Sequence, residues 1–150
     1  MMDSFTLKGF DELQDDLKKA IDFYPQKAEE ALQKNGEEFK KRVKNITLRV
    51  TTKHTGNITK GFKVTKVTGF RENMECHFMA EGKGKKNPHF HLVENGHDVY
   101  AGGKGGKIAS KVGYVPGKHM VRQAAEEYQQ ELPVQLEQVL DDILKGAHLD

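Results

Sequence analysis

The chain has one cysteine, no tryptophan, four prolines and no long apolar run. A lone thiol, Cys76, excludes an internal disulfide and suits a reducing compartment. Without tryptophan, and with 36% hydrophobic against 31% charged residues, a chain of 150 residues is expected to form one domain with a small core, part of its surface being completed by neighbouring subunits. No stretch approaches the roughly 18 apolar residues of a membrane span, so no membrane partner is expected. The opening MMDSFTLKGF lacks the basic start and apolar run of a signal peptide, which leads us to expect a soluble, intracellular protein. Cys76 lies between Glu75 and His77 in an alternating pattern and reads as a structural thiol, since a reactive one needs a matched base and an electropositive setting.

The net charge of +2 is unevenly placed. Residues 1–45 carry nine basic and ten acidic side chains, 46–81 six and three, 82–118 seven and two, and 119–150 two and seven. A basic middle followed by an acidic tail favours oriented contact between subunits or with a partner. It argues less for nucleic acid as the main partner, which goes with a larger overall basic excess.

Residues 9–22 read as an amphipathic helix on Phe10, Leu13, Leu17, Ala20 and Ile21. Tyr24-Pro25 interrupts the pattern, and Pro25 suits the first turn of a second helix carrying Ala28, Ala31, Leu32, Phe39 and Val43 and fading near Asn45; one long kinked helix fits equally well. Ile46–Val50 is β-rich and short. Phe62–Thr68 and Met74–Ala80 read as a hairpin turning near Gly69–Asn73, with Met74, Cys76, Phe78 and Ala80 on its buried face. Pro88–Asn95 reads as another strand. Two glycine- and lysine-rich loops, near 82–87 and 101–112, are expected to be flexible. Residues 117–146 form the clearest helix, kinked or split near Pro133 and stopping near Gly146. The expected fold is α+β: N-terminal helices, a small antiparallel sheet of three to four strands, and a long C-terminal helix.

Residues 87–122 hold most of the chemistry-bearing side chains. On a strand, His89 and His91 would share a face and offer a metal two imidazoles, with His97, His119 or Glu94 as further ligands. No CxxC or HExxH spacing supports that set, and ordinary surface histidines are the plainer reading. GGKGGK lacks the spacing of a phosphate-binding loop, and no G-x-S-x-G elbow is present. No catalytic, cofactor-binding or metal-binding residue is assigned. A nucleic-acid-binding module acting through the Gly/Lys loops, or a His-dependent metalloenzyme, remain the alternatives to a structural protein.

Taken in order, Thr55-Gly56-Asn57-Ile58, then Glu94-x-Gly96, then Met120-Val121-Arg122-x-Ala124 after Pro116 resemble the motifs of the tail-component family of HK-type siphophages and related prophages, over about residues 5–145. His97 stands where that family often has threonine, and Met120 where it has phenylalanine. The resemblance implies a non-enzymatic virion protein of the neck or tail-completion kind, without cofactor and made in the bacterial cytoplasm. It would assemble with itself as a ring, six-fold in the virion, around the DNA channel, between head-closure and tail-terminator proteins.

Under this resemblance Thr55 and Gly56 set a turn, and Gly96 adopts a backbone conformation that a side chain would forbid. Glu94 pairs with a lysine or with Arg122, within the chain or across subunits, offsetting a cation near a helix N-terminus, unless it is simply a solvated acid at a strand edge. Lys83, Lys85, Lys86, Lys104 and Lys107, together with Glu94, Gly96, His97 and Arg122, are the candidate contacts to a partner ring or to DNA phosphates. For the lysines, simple solubility is the competing account.

Overall fold

A computed structural model describes residues 10–51, 57–80, 89–102 and 109–147. The fold is α+β. A long helix α1 (Phe10–Val50) is followed by a single turn α2 (Asn57–Lys60), strand β1 (Phe62–Val64), a 3-10 turn (Arg71–Asn73), strand β2 (Phe78–Ala80), a short helix α3 (Phe90–Asn95), strands β3 (Gly96–Ala101) and β4 (Ser110–Pro116), and helix α4 (Met120–Gly146). The four strands form two separate antiparallel pairs, β1 with β2 and β3 with β4.

The chain divides into two compact units, one made of Met1–Asn35, Lys66–Cys76 and Glu131–Asp150, the other of Gly36–Thr65 and His77–Gln130. Helices α1 and α4 contribute to both.

The second unit holds the main core. Val43 and Ile46 of α1, Phe62 of β1, Phe90 of α3, and Met120 and Ala124 of α4 are buried together. In place of tryptophan, phenylalanines meet edge to face: Phe62 lies 5.3 Å from Phe78 and 5.2 Å from Phe90, ring centre to ring centre. That geometry sets the positive ring edge against the negative ring face. The β1–β2 ladder pairs Phe62 with Ala80 and Val64 with Phe78.

The β-rich run Ile46–Val50 is not a strand but the last turn and a half of α1. Phe39, Val43, Ile46 and Val50 recur at three- and four-residue spacing; Val43 and Ile46 belong to the buried cluster, and Phe39 and Val50 pack against it. Burial of Val43 (0% exposed) and Ile46 (2%) outweighs the modest β preference of Ile-Thr-Leu-Arg-Val. Thr47 is wholly buried, and its hydroxyl donates to the Val43 carbonyl at 2.7 Å, so the helix satisfies this buried polar side chain internally. Of the two readings left open at Pro25, the single helix is the one found: α1 runs through Pro25, which removes one donor from the ladder. Helix α4 likewise continues through Pro133 without an assigned break, so it is not split there, and it ends at Gly146.

In the first unit, the link between β1 and β2 closes through a Thr68–Glu75 bridge and the 3-10 turn. The expected alternation holds: Met74, Cys76, Phe78 and Ala80 are half-buried, whereas Glu75, His77 and Met79 are exposed. The two strands are shorter than expected, three residues each.

The segment expected as a strand over Pro88–Asn95 is instead helix α3 where it is described. Six residues are too few for helical periodicity to show, and the alternation of His89, Phe90, His91 and Leu92 imitates a strand. The strand begins one residue later, at Gly96. The second expected loop is also shorter than 101–112, since Ala101 closes β3 and Ser110–Val112 already belong to β4.

Met120 is fully buried at the centre of the core. Met120→Ala should therefore cost about 2–5 kcal/mol, whereas Val134→Ala, at an exposed position of the same helix, should stay within about 0.5 kcal/mol. Urea unfolding midpoints of the two variants check this.

Candidate functional site

Helix α4 starts without help from its own sequence. His119, the residue before it, offers no Ser, Thr, Asp or Asn cap, and its first turn contains no acid. Its first amide groups are satisfied from outside. The Glu94 carboxylate accepts from the Met120 amide at 2.7 Å and from the Val121 amide at 3.1 and 3.2 Å. A carboxylate at a helix N-terminus also meets the positive end of the helix dipole.

The backbone completes the joint. Lys118 donates to the Val93 carbonyl at 2.8 Å and His119 to the Glu94 carbonyl at 3.1 Å. The end of α3, with its orphan acceptors, thus meets the start of α4, with its orphan donors. His119 takes a left-handed φ of 49°. Followed by helical Met120, it turns successive amides toward one carboxylate, an anion-binding nest. The Gln123 side chain donates to the Lys118 carbonyl at 2.8 Å, tying the approach to the helix.

Two glycines make room for this joint. Gly96 has φ 81°, and a Cβ there would stand 2.5 Å from the Tyr114 hydroxyl and 2.6 Å from the Val115 carbonyl oxygen. A Cβ on Gly117 would run into the backbone of Glu94, Asn95 and Gly96. The positive φ expected at Gly96 is present.

The pairing expected between Glu94 and Arg122 does not form. Glu94 is spent on backbone amides, and Arg122 Nε donates to Glu126 at 3.0 Å on the exposed face of α4. An acid one turn along the same helix is the nearer partner for Arg122. His97 is half-buried, its Nδ1 3.5 Å from the Leu92 carbonyl oxygen.

The joint carries the β3–β4 hairpin. β3 leaves it at Gly96 and β4 returns to it at Pro116. The register pairs His97 with Val115, Asp98 with Tyr114 and Val99 with Gly113, then shifts by a bulge after Val99. Lys111 reaches Asp98 at 2.7 Å, and the Tyr114 hydroxyl donates to the Asn95 carbonyl at 3.3 Å. All seven residues of β4 are exposed, including Val112, Tyr114 and Val115, and so are Val99 and Tyr100 of β3. Sequence reading missed this hairpin as an apolar surface; its signal was the Val-Tyr pair before GGKGG and the Val-Gly-Tyr-Val run after it.

Other candidates separate. His89 and His91 are exposed and two residues apart at the start of α3, where neighbours at that spacing do not face each other. Among the described residues, no three His, Cys, Asp or Glu side chains gather as a metal would require. Thr55, Gly56, Lys83, Lys85, Lys86, Lys104 and Lys107 lie outside the described residues. Cys76 donates its thiol to the Leu32 carbonyl at 3.4 Å, and burial pushes its pKa up from the ordinary thiol range.

No helix among the described residues is long and apolar enough to cross a membrane. Comparison with protein-family models, with curated proteins and with solved structures finds no match to this chain.

Removing the clasp should loosen the start of α4. Glu94→Ala is expected to cost about 1–3 kcal/mol and to speed amide hydrogen exchange at Met120 and Val121, whereas Arg122→Ala should change stability by less than about 0.5 kcal/mol. Denaturant titration with residue-resolved exchange separates the two. Cys76, its thiolate disfavoured by burial, should be alkylated by iodoacetamide more slowly at neutral pH than a free cysteine, with the rate still climbing where an ordinary thiol has levelled off; mass spectrometry of the labelled protein follows it.

Proposed function

We propose that this chain is a structural, non-enzymatic subunit of a phage neck or tail-completion ring. It assembles with itself around the DNA channel, between head-closure and tail-terminator proteins, and joins tail to head. The observation that carries the reading is the β3–β4 hairpin: a two-stranded ribbon with exposed Val99, Tyr100, Val112 and Tyr114, mounted on a joint held by hydrogen bonds at both of its ends. A ribbon of two strands leaves both edges and both faces unfilled, and such a surface suits contact with another chain.

Two further features support it. The segments carrying the family resemblance, Glu94-x-Gly96 and Met120-Val121, are the two halves of one joint, so their spacing has a physical reason. The charge along the chain, basic through 46–118 and acidic after it, suits subunits that meet in a fixed orientation. Lys83, Lys85, Lys86, Lys104 and Lys107 would contact the next ring or DNA phosphates. The protein would be made in the host cytoplasm and end in the virion.

Deleting the gene from the phage or prophage that carries it should leave DNA-filled heads and separate tails, with the plaque titre lost and restored by supplying the chain in trans. Joined, infectious particles from the deletion, seen by electron microscopy, would overturn the proposal.

A further inference from the structure

The chain contains two Asn-Gly steps, Asn35-Gly36 and Asn95-Gly96. In this dipeptide an asparagine side chain is open to attack by the next backbone nitrogen, because glycine has no side chain to shield that nitrogen and lets the backbone turn freely. The structure places the two steps very differently. Asn35 sits deep inside the 41-residue helix α1. Asn95 is exposed and is the last residue of the six-residue helix α3, and the chain leaves it through Gly96 at φ 81° and ψ 169°.

In the closed joint the attack is blocked. The Gly96 amide donates to the Leu92 carbonyl, and a helical backbone at Asn95 keeps that nitrogen from reaching the side-chain carbonyl carbon. The Tyr114 hydroxyl holds the Asn95 carbonyl at 3.3 Å. The residues before it are tied by the Lys118 and His119 amides and by the Glu94 carboxylate on α4. These bonds must open before Asn95 can react. The end of a short helix opens more often than the middle of a long one.

We infer that Asn95 is a site of spontaneous deamidation whose rate is set by opening of the Glu94 clasp. On opening, the Gly96 amide nitrogen gives its proton to hydroxide and bonds to the Asn95 side-chain carbonyl carbon. The bond from that carbon to the side-chain nitrogen breaks, and ammonia leaves with a proton taken from water. Water then opens the cyclic imide at either of its carbonyls, giving aspartate or isoaspartate. Nothing is oxidised or reduced. The products do not refit the joint. Isoaspartate lengthens the backbone by a methylene where added atoms have no room: a Cβ on Gly96 would stand 2.5 Å from the Tyr114 hydroxyl, and one on Gly117 2.6 Å from the Asn95 carbonyl carbon. Aspartate sets a second carboxylate beside Glu94 at the end of α3, toward which the last helix carbonyls already point. Either product loosens the root of the β3–β4 hairpin irreversibly.

The test incubates the full chain at mildly alkaline pH and follows both Asn-Gly steps by peptide mass spectrometry, with isoaspartate separated from aspartate by chromatography. Each site's rate is divided by its own rate in urea, which removes differences between their flanking residues. In the folded chain Asn95 should convert faster than Asn35 on this scale. Glu94→Ala should speed Asn95 at least about fivefold and leave Asn35 unchanged. Tyr114→Phe, a conservative change at an exposed position that removes the hydroxyl on the Asn95 carbonyl, should shift Asn95 in the same direction. If Asn35 converts as fast as Asn95 in the folded chain, Asn95 is no privileged site and the inference fails. If each variant either leaves the Asn95 rate where it was or raises both sites alike, the clasp does not gate the reaction and the inference is wrong.

Discussion

The carboxylate of Glu94 on the first amides of α4 is the interaction on which the second unit depends. A helix start leaves several amides without partners, and here they lie beside a half-buried joint rather than in open water. Hydrogen bonds to a charged acceptor contribute about 1.5–3 kcal/mol, and the helix dipole adds to that. The larger effect is geometric. The same joint fixes where β3 leaves, where β4 returns and how α4 enters. Met120 donates to Glu94 through its backbone and fills the core through its side chain, so the cap and the core are set by one residue.

The parts of this arrangement that follow from nearest-neighbour chemistry were readable in the sequence. The two-residue period through Met74–Ala80 and the special backbone at Gly96 are properties of a few adjacent residues and are found, while the helix expected from residue 117 begins at Met120. Ile46–Val50 and the stretch before Asn95 were misread because five or six residues fit two periods, and only burial against distant residues decides between them. Within the chain Glu94 takes backbone amides as its partners, not the lysine or arginine side chain that its charge suggests. A side chain capping a helix 26 residues onward leaves no local pattern. One signal was available: Lys118-His119 cannot cap α4, so a start this well defined implied an acceptor from elsewhere in the chain.

The two units use their apolar residues differently. The second spends its phenylalanines, Val43, Ile46 and Met120 on a closed core and, among the described residues, leaves exposed the apolar residues of its hairpin and a few isolated ones such as Leu48 and Met79. The first buries Ile143 and Ala147 but leaves Leu17, Ile21, Leu136 and Leu140 largely open. With about a third of its residues charged and no tryptophan, the chain has little apolar surface to spare. Exposing that much of it costs stability in the isolated chain unless contact with another surface recovers it. Among the described residues, that exposure is concentrated on the β3–β4 ribbon and along α1 and α4.

The crowding of glycine, histidine and acid between residues 87 and 122 has the look of a reaction centre, and the joint accounts for its main members. Gly96 and Gly117 permit a backbone approach that a Cβ would block. Glu94 accepts from the Met120 and Val121 amides and so holds the start of α4. His119 serves through its backbone, in a left-handed turn, while its side chain is exposed. His89 and His91, two residues apart at the start of α3, do not share a helix face. A dense set of residues with strict geometric demands is what a tight helix-to-helix joint needs when the second helix has no side-chain cap beside it in the sequence. The same demands fix the root of the β3–β4 hairpin, so rigidity at the joint is a property that this stretch of sequence encodes.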